Sequence, residues 1–209
     1  MLIHNPYDLL IIKENVVPQE NIEELMKLTN DEDTEPATVI NEKGTEFQSE
    51  TKLETRHTLW YKIPEEVHST LEKAIADCFR QFVIPKYNCE FKSYEPAQFL
   101  GYPVGGHYKG HNDGEHFNIE TRQWERLMPR DVSFLFYLNE EFGGGELEFL
   151  ELGLTIKPKK SMMIAFPSYK DFAHMVHPVT WGHRYSLVSW VETQKNLYDT
   201  IPRPGISES

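Results

Sequence analysis

A mainly β fold with supporting helices is the expectation from this sequence, and three observations carry it. Between Glu90 and Glu192, short extended runs alternate with glycine and proline turns. The two stretches with helix-opening residues or apolar residues at helical spacing both lie in the first half. At 209 residues the chain has room for one full core and not for two comfortable ones. Residues 1–209 therefore read as a single domain. A strand and helix support region spans 1–89, an antiparallel sandwich or jelly roll spans 90–194, and a tail over 195–209 is expected to fray.

The elements follow in order. Asp8 to Ile12 is a short apolar run that predicts a strand. Val17-Pro18-Gln19-Glu20 opens a helix through Leu28, with proline and acids where a first turn accepts them. Asn30 to Thr55 is polar, acidic and weakly patterned, so a long loop with one short strand is expected there. His57 to Ile63 reads as extended. Pro64 begins the best helix, running to Val83, because Val67, Leu71, Ile75, Cys78, Phe79 and Phe82 recur on one face. Beyond it, strands are expected at Glu90 to Tyr94, Ala97 to Tyr102, Val132 to Asn139, Glu146 to Leu150, Leu154 to Lys157, Ser161 to Phe166, His174 to Val179 and Arg184 to Glu192. Gly114 to Arg130 is a long polar interruption and a lid candidate.

Composition narrows the function classes. A formal charge of −12 argues against a nucleic-acid backbone as partner, since that needs clustered Lys and Arg. No apolar run reaches bilayer-spanning length, so no membrane partner is expected. The N-terminus lacks a basic patch and a small-residue cleavage site. Two cysteines, Cys78 and Cys89, make no disulfide framework. A reducing, cytoplasmic setting is the expectation from these features.

The chemistry-bearing residues are His111, Asp113 and a distal histidine, with Arg184 beyond it. His111 and Asp113 are two apart, so on an extended segment both side chains leave one face and can converge on one ion. Gly105, Gly106, Gly110 and Gly114 surround the pair, which places it at a strand end or turn. Two imidazoles and a carboxylate are the donor set of an open iron(II) site for oxygen chemistry. His174 and His177 are both available as the second imidazole.

Three blocks make the reading specific. Gln98 to Asp113, with Tyr102-Pro103-Val104-Gly105-Gly106 leading to His111-Asn112-Asp113, resembles the metal-binding strand of the prolyl 4-hydroxylase-like 2-oxoglutarate- and Fe(II)-dependent dioxygenases. Arg130 to Asn139, followed by Gly143-Gly144-Gly145-Glu146-Leu147, is similar to that family's next strand and its Gly-Gly-Glu-Leu turn. His174 to Leu187 resembles its distal-histidine block. The three blocks stand in family order across the second half of the chain.

The resemblance implies a double-stranded β-helix (jelly-roll) core with an N-terminal helical buttress. It implies His111, Asp113 and His174 as metal ligands, because Val176, Pro178, Gly182 and Arg184 satisfy the family register from His174 and not from His177. Arg184 is then the partner of the distal carboxylate of 2-oxoglutarate, through a planar fork that can hold both oxygens. Tyr137 matches a tyrosine that helps hold the same carboxylate, and Tyr102 and Ser186 are further cosubstrate candidates. No catalytic residue is expected beyond the metal ligands. Fe(II), 2-oxoglutarate and O2 are the implied cofactors, with ascorbate as a candidate reductant. A carboxylate at Asp113 favours hydroxylation over halogenation, since related halogenases leave that position empty. The implied activity is hydroxylation of an unactivated C–H bond with release of succinate and CO2. The implied substrate is a prolyl residue of a peptide or protein. The same chemistry on a free amino acid or small metabolite is the alternative, and a non-catalytic metal-binding jelly roll is the alternative from another class. Glu146 reads as a strand-end residue, and the four tryptophans as core or rim. Oligomeric state is not legible.

Overall fold

The computed structural model describes residues 6–30, 34–43 and 46–197. Its strands are β1 (Ile11–Lys13), β2 (Thr34–Pro36), β3 (Val39–Lys43), β4 (Glu46–Glu50), β5 (Arg56–His57), β6 (Leu59–Tyr61), β7 (Phe91–Tyr102), β8 (His107–His111) and β9 (Glu115–Asn118). They continue as β10 (Gln123–Arg126), β11 (Val132–Tyr137), β12 (Phe142–Gly144), β13 (Leu147–Phe149), β14 (Leu154–Ile156), β15 (Met163–Pro167), β16 (His174–Val176), β17 (Val179–Gly182) and β18 (Arg184–Thr193). The helices are α1 (Gln19–Lys27), α2 (Glu65–Cys78) and α3 (Ile84–Tyr87).

A seven-stranded antiparallel sheet runs β1-β15-β11-β18-β7-β6-β2, and a five-stranded one runs β14-β13-β16-β8-β5. Period-two alternation in the large sheet explains its covering on both faces. Ala97, Phe99, Phe134, Phe136, Leu187 and Val191 join one core with Leu25, Val67, Leu71 and Ile75 from α1 and α2. Their neighbours Leu100, Leu135, Tyr137, Val188 and Trp190 join a second core with Leu147, Phe149 and Val176 of the smaller sheet. The result is the jelly roll with a helical buttress that the sequence predicts. Strands from the first 89 residues extend both sheets, since β1, β2 and β6 join the large one and β5 the small one.

Several local expectations are corrected. The Asn30 to Thr55 segment carries three strands rather than a loop with one, and β3 and β4 pair as a hairpin. The charged residues between its β-formers hid that pattern. Pro6–Leu9 is a 3-10 turn, so the first strand starts only at Ile11. The helix from Glu65 does not stop at Val83. It passes through a π-helical turn, Phe79–Val83, and continues to Tyr87, where Asn88 in a left-handed conformation (φ 49°) ends it. A wider turn is a natural way to carry Pro85, which lacks an N–H and crowds the turn before it. Pro96 likewise does not break β7. The register against β18 shifts between Val188 and Trp190, opposite Pro96, and the Ser189 hydroxyl donates to the Glu95 carbonyl at 2.8 Å. The lid candidate is a β9–β10 hairpin. Of the supposed tail, Leu197 is buried in the core, while residues 198–209 lie outside the described residues.

Candidate metal centre and cosubstrate pocket

β8 and β16 are neighbours in the small sheet, with His174 opposite His111. That pairing closes 63 residues of sequence into one site. Asp113 follows two residues after the end of β8. His111 Nε2 lies 3.7 Å from Asp113 Oδ1, and His174 Nε2 lies 3.9 Å from Asp113 Oδ2. The three donor atoms all fall within 4.8 Å of one another. Each imidazole is turned by its other nitrogen. His111 Nδ1 donates to the Lys109 carbonyl at 2.9 Å and His174 Nδ1 to the Phe172 carbonyl at 3.0 Å. Both Nε2 lone pairs are thereby directed to the common centre, the arrangement a metal requires.

The charges suit a cation. Burial, with His174 beside it, pushes His111 down to about 3, so the ring is neutral at physiological pH. Burial works to raise Asp113, but His174, His111, Arg130 and the Ser133 hydroxyl together hold it at about 2. Ser133 donates to Asp113 Oδ2 at 2.7 Å. An ionised carboxylate and neutral imidazoles are the protonation states in which these groups ligate. His177 lies elsewhere, with its Nε2 2.6 Å from Glu148 Oε2.

Arg184 and Ser186 alternate on the inner face of β18, opposite Tyr102 and Leu100 of β7, and Tyr137 of β11 stands opposite Ser186. The Arg184 guanidinium is 1% exposed and lies 4.5 Å from the Tyr102 ring centre and 4.9 Å from that of Tyr137. Its one hydrogen bond goes to the Ser186 hydroxyl at 3.2 Å, leaving Nε without a partner. The buried Tyr137 hydroxyl has no hydrogen-bond partner beyond the Arg184 guanidinium beside it among the described residues, and burial raises it to about 12 despite Arg184. A buried cation and an unsatisfied hydroxyl side by side fit a carboxylate. Gly145 makes the room. It sits at φ +66°, and a Cβ there would come within 2.9 Å of Arg184 Cδ.

One cavity of about 610 Å³ joins the two halves of the site, lined by the His111–Asp113–His174 trio, Arg184, Ser186 and Tyr102. Tyr137 stands behind Arg184 and does not line it. The sequence reading missed several participants. Tyr108 stacks on His111 with ring centres 3.6 Å apart. Arg130 is held bidentate by Glu95 at 2.5 and 2.6 Å and lies 3.8 Å from the Trp190 ring centre. Trp60, Trp124 and Trp190 line the cavity. Ser133 carried one visible signal, being the only polar residue in the buried run Val132–Tyr137.

Comparison with known proteins agrees with this geometry. Residues 97–192 match the sequence model of the 2OG-Fe(II) oxygenase superfamily, which implies Fe(II), 2-oxoglutarate and O2. Mouse (Mus musculus) prolyl 3-hydroxylase 2 is 39% identical over 79 residues, 35% of this chain and 11% of that protein. The chain thus matches about a tenth of that relative's length. The viral collagen prolyl hydroxylase of Paramecium Bursaria Chlorella virus-1, solved as a 2OG complex, superposes with a TM-score of 0.63 at 21% identity, covering 90% of this chain and 97% of that one. A Trichoplax adhaerens prolyl hydroxylase, in complex with a hypoxia inducible factor oxygen degradation domain peptide, gives a TM-score of 0.65 at 17% identity over 93% and 88% of the chains.

Proposed function

We propose, from the premise that residues 97–192 form a 2OG-Fe(II) oxygenase superfamily domain, that this chain is a dioxygenase hydroxylating a prolyl residue of a peptide or protein. The observation that carries the reaction class is one cavity with a two-histidine, one-carboxylate cluster beside a buried arginine that pairs with no acid among the described residues. The peptide substrate is supported by relatives and neighbours named as prolyl hydroxylases, one of them in complex with a peptide.

In this reading His111, Asp113 and His174 would hold Fe(II). Bound Fe(II) with O2 and 2-oxoglutarate supplies the oxidation, giving succinate and CO2 and leaving a hydroxyl on the substrate carbon. The chain's own residues orient and exclude. Lys109 and Phe172 carbonyls fix the two rings. Ser133 fixes the carboxylate of Asp113. Arg184, steadied by Ser186 and flanked by Tyr102 and Tyr137, would hold the distal carboxylate of 2-oxoglutarate and orient it. The Tyr137 hydroxyl stays protonated and backs Arg184 from behind the cavity. Phe149 and Phe166 pack against His174 and keep water from that side of the centre.

The test is anaerobic loading with Fe(II) and 2-oxoglutarate, then admission of air and measurement of succinate against proline-containing peptides and small amino acids. Succinate release coupled to peptide hydroxylation is the expected result. Metal retained with no 2-oxoglutarate consumed across the panel would instead support a non-catalytic metal-binding protein.

A further inference from the structure

The same cavity contains a second buried arginine. Arg56 of β5 lies opposite Tyr108 of β8, at the edge of the small sheet, and lines the cavity. It is 9% exposed. Its guanidinium lies 4.6 Å from the Tyr108 ring centre, and Tyr108 in turn stacks on the ligand candidate His111. One hydrogen bond satisfies it, from Nη1 to the Thr38 carbonyl at 2.8 Å, and its buried Nε has no partner. Among the described residues no Asp or Glu pairs with it. Three carboxylates line the cavity: Asp113 meets the histidines and Ser133, Glu115 accepts the backbone N–H of Lys170, and Glu35 of β2 is exposed and forms no ion pair with Arg56.

A guanidinium offers five N–H donors, and a single carbonyl does not require a cation. Burying a charge without a counter-ion is costly, and an aromatic face offsets only part of that cost. Arg184 presents the same signature at its own end of the cavity: buried, flanked by tyrosine, one neutral hydrogen bond, an orphan Nε. There the missing partner is the cosubstrate's carboxylate. We propose that Arg56 is a second carboxylate anchor, and that the primary substrate carries an acid group that meets it. This rests on the dioxygenase reading, which assigns Arg184 to 2-oxoglutarate. The acid is either an Asp or Glu side chain near the target residue of a peptide or the α-carboxylate of a free amino acid. Both present the same planar anion to the arginine fork.

Binding calorimetry under anaerobic conditions, on protein loaded with Fe(II) and 2-oxoglutarate, tests this directly. The probes are matched pairs: proline peptides differing only in Glu against Gln at one or two positions either side of the proline, and L-proline against L-prolinamide. Wild type binds the carboxylate member of at least one pair about tenfold or more tightly, the scale of a charge-assisted hydrogen bond. The pair that discriminates identifies the source of the acid. Arg56→Gln brings that ratio close to one, while Arg56→Lys, which keeps the charge without the fork, retains part of it. No preference in any pair on cosubstrate-loaded wild type overturns the proposal, and so does a preference that survives in Arg56→Gln. Wild type that fails to bind 2-oxoglutarate at all overturns the dioxygenase reading instead, and this one with it. The wild-type comparison stands even where a variant does not fold.

Discussion

Ser133 donates its hydroxyl to Oδ2 of Asp113 at 2.7 Å, and the Ser133 Oγ itself sits 2.7 Å from the hydroxyl of Ser168. Both serines are buried. A carboxylate tethered this way keeps one rotamer and its negative charge, and ligands supported by such partners bind metal more tightly. Ser133→Ala is therefore expected to weaken Fe(II) binding by about 10–100-fold, read by anaerobic titration. Unchanged affinity would show that Asp113 is oriented by packing alone.

Asp113→Ala should abolish substrate-coupled 2-oxoglutarate turnover, because it removes the one carboxylate of the trio and leaves two imidazoles. Succinate release is the measurement. Turnover at the wild-type rate would remove Asp113 from the metal site.

Arg184→Ala is expected to act on the cosubstrate rather than on the metal. Removing one partner of a buried charged contact costs about 2–5 kcal/mol, so the Kd for 2-oxoglutarate should rise by about 30-fold or more. Fe(II) affinity should stay that of wild type, since Arg184 touches Ser186, Tyr102 and Tyr137 and none of the trio. Equal loss of both affinities would point to a collapsed cavity.

These residues differ in how far the sequence discloses them. The two-residue spacing of His111 and Asp113 suggests one face of an extended segment, and the register of the family it resembles favours His174 over His177; the structure brings the three together, with Asp113 two residues beyond β8 rather than on it. Arg184, Ser186, Tyr102 and Tyr137 followed from the same blocks, and the structure brings all four together. Arg56 was not legible. It owes its position to an edge pairing with Tyr108, 52 residues away in sequence, and no local pattern announces such a pairing. The helix beyond Val83 and the strand through Pro96 were missed for a related reason. Proline is read locally as a breaker, while a π turn and a bulge supplied by the surrounding structure accommodate it. The β3–β4 hairpin fell in an acidic stretch whose strands pair mainly with each other.

Alkali should destabilise the protein from about pH 9 upward. Burial pushes Cys78 and Cys89 from 9.0 to about 11, with Asp77 adding to the rise at Cys78, and burial pushes Tyr61 and Tyr137 from 10.0 to about 12. Between pH 9 and 11 the folded chain keeps thiol protons that the unfolded chain releases, and the tyrosines extend the window to 12. Stability is thus fully present below pH 9 and is lost as pH rises through that range. Thermal melts from pH 7 to 11 read this, with thiol labelling at pH 8 expected to be slow in the fold. A melting temperature flat to pH 11 would contradict it.

Leu197 marks where the chain stops being a tail. It follows β18 by four residues and packs with no solvent exposure into the core that joins the helices to the large sheet, beside residues of the Leu25 and Val83 cluster. Truncating such a side chain leaves a cavity that the surrounding helices and sheet fill only in part. Leu197→Ala should cost about 2–5 kcal/mol, a fall in Tm of roughly 5 °C or more for a chain of this size. The trio is assembled by β8 and β16 of the other sheet, so Fe(II) affinity at a temperature where the variant is folded should equal wild type. A Tm within a degree of wild type would return this residue to the frayed segment that the sequence predicts.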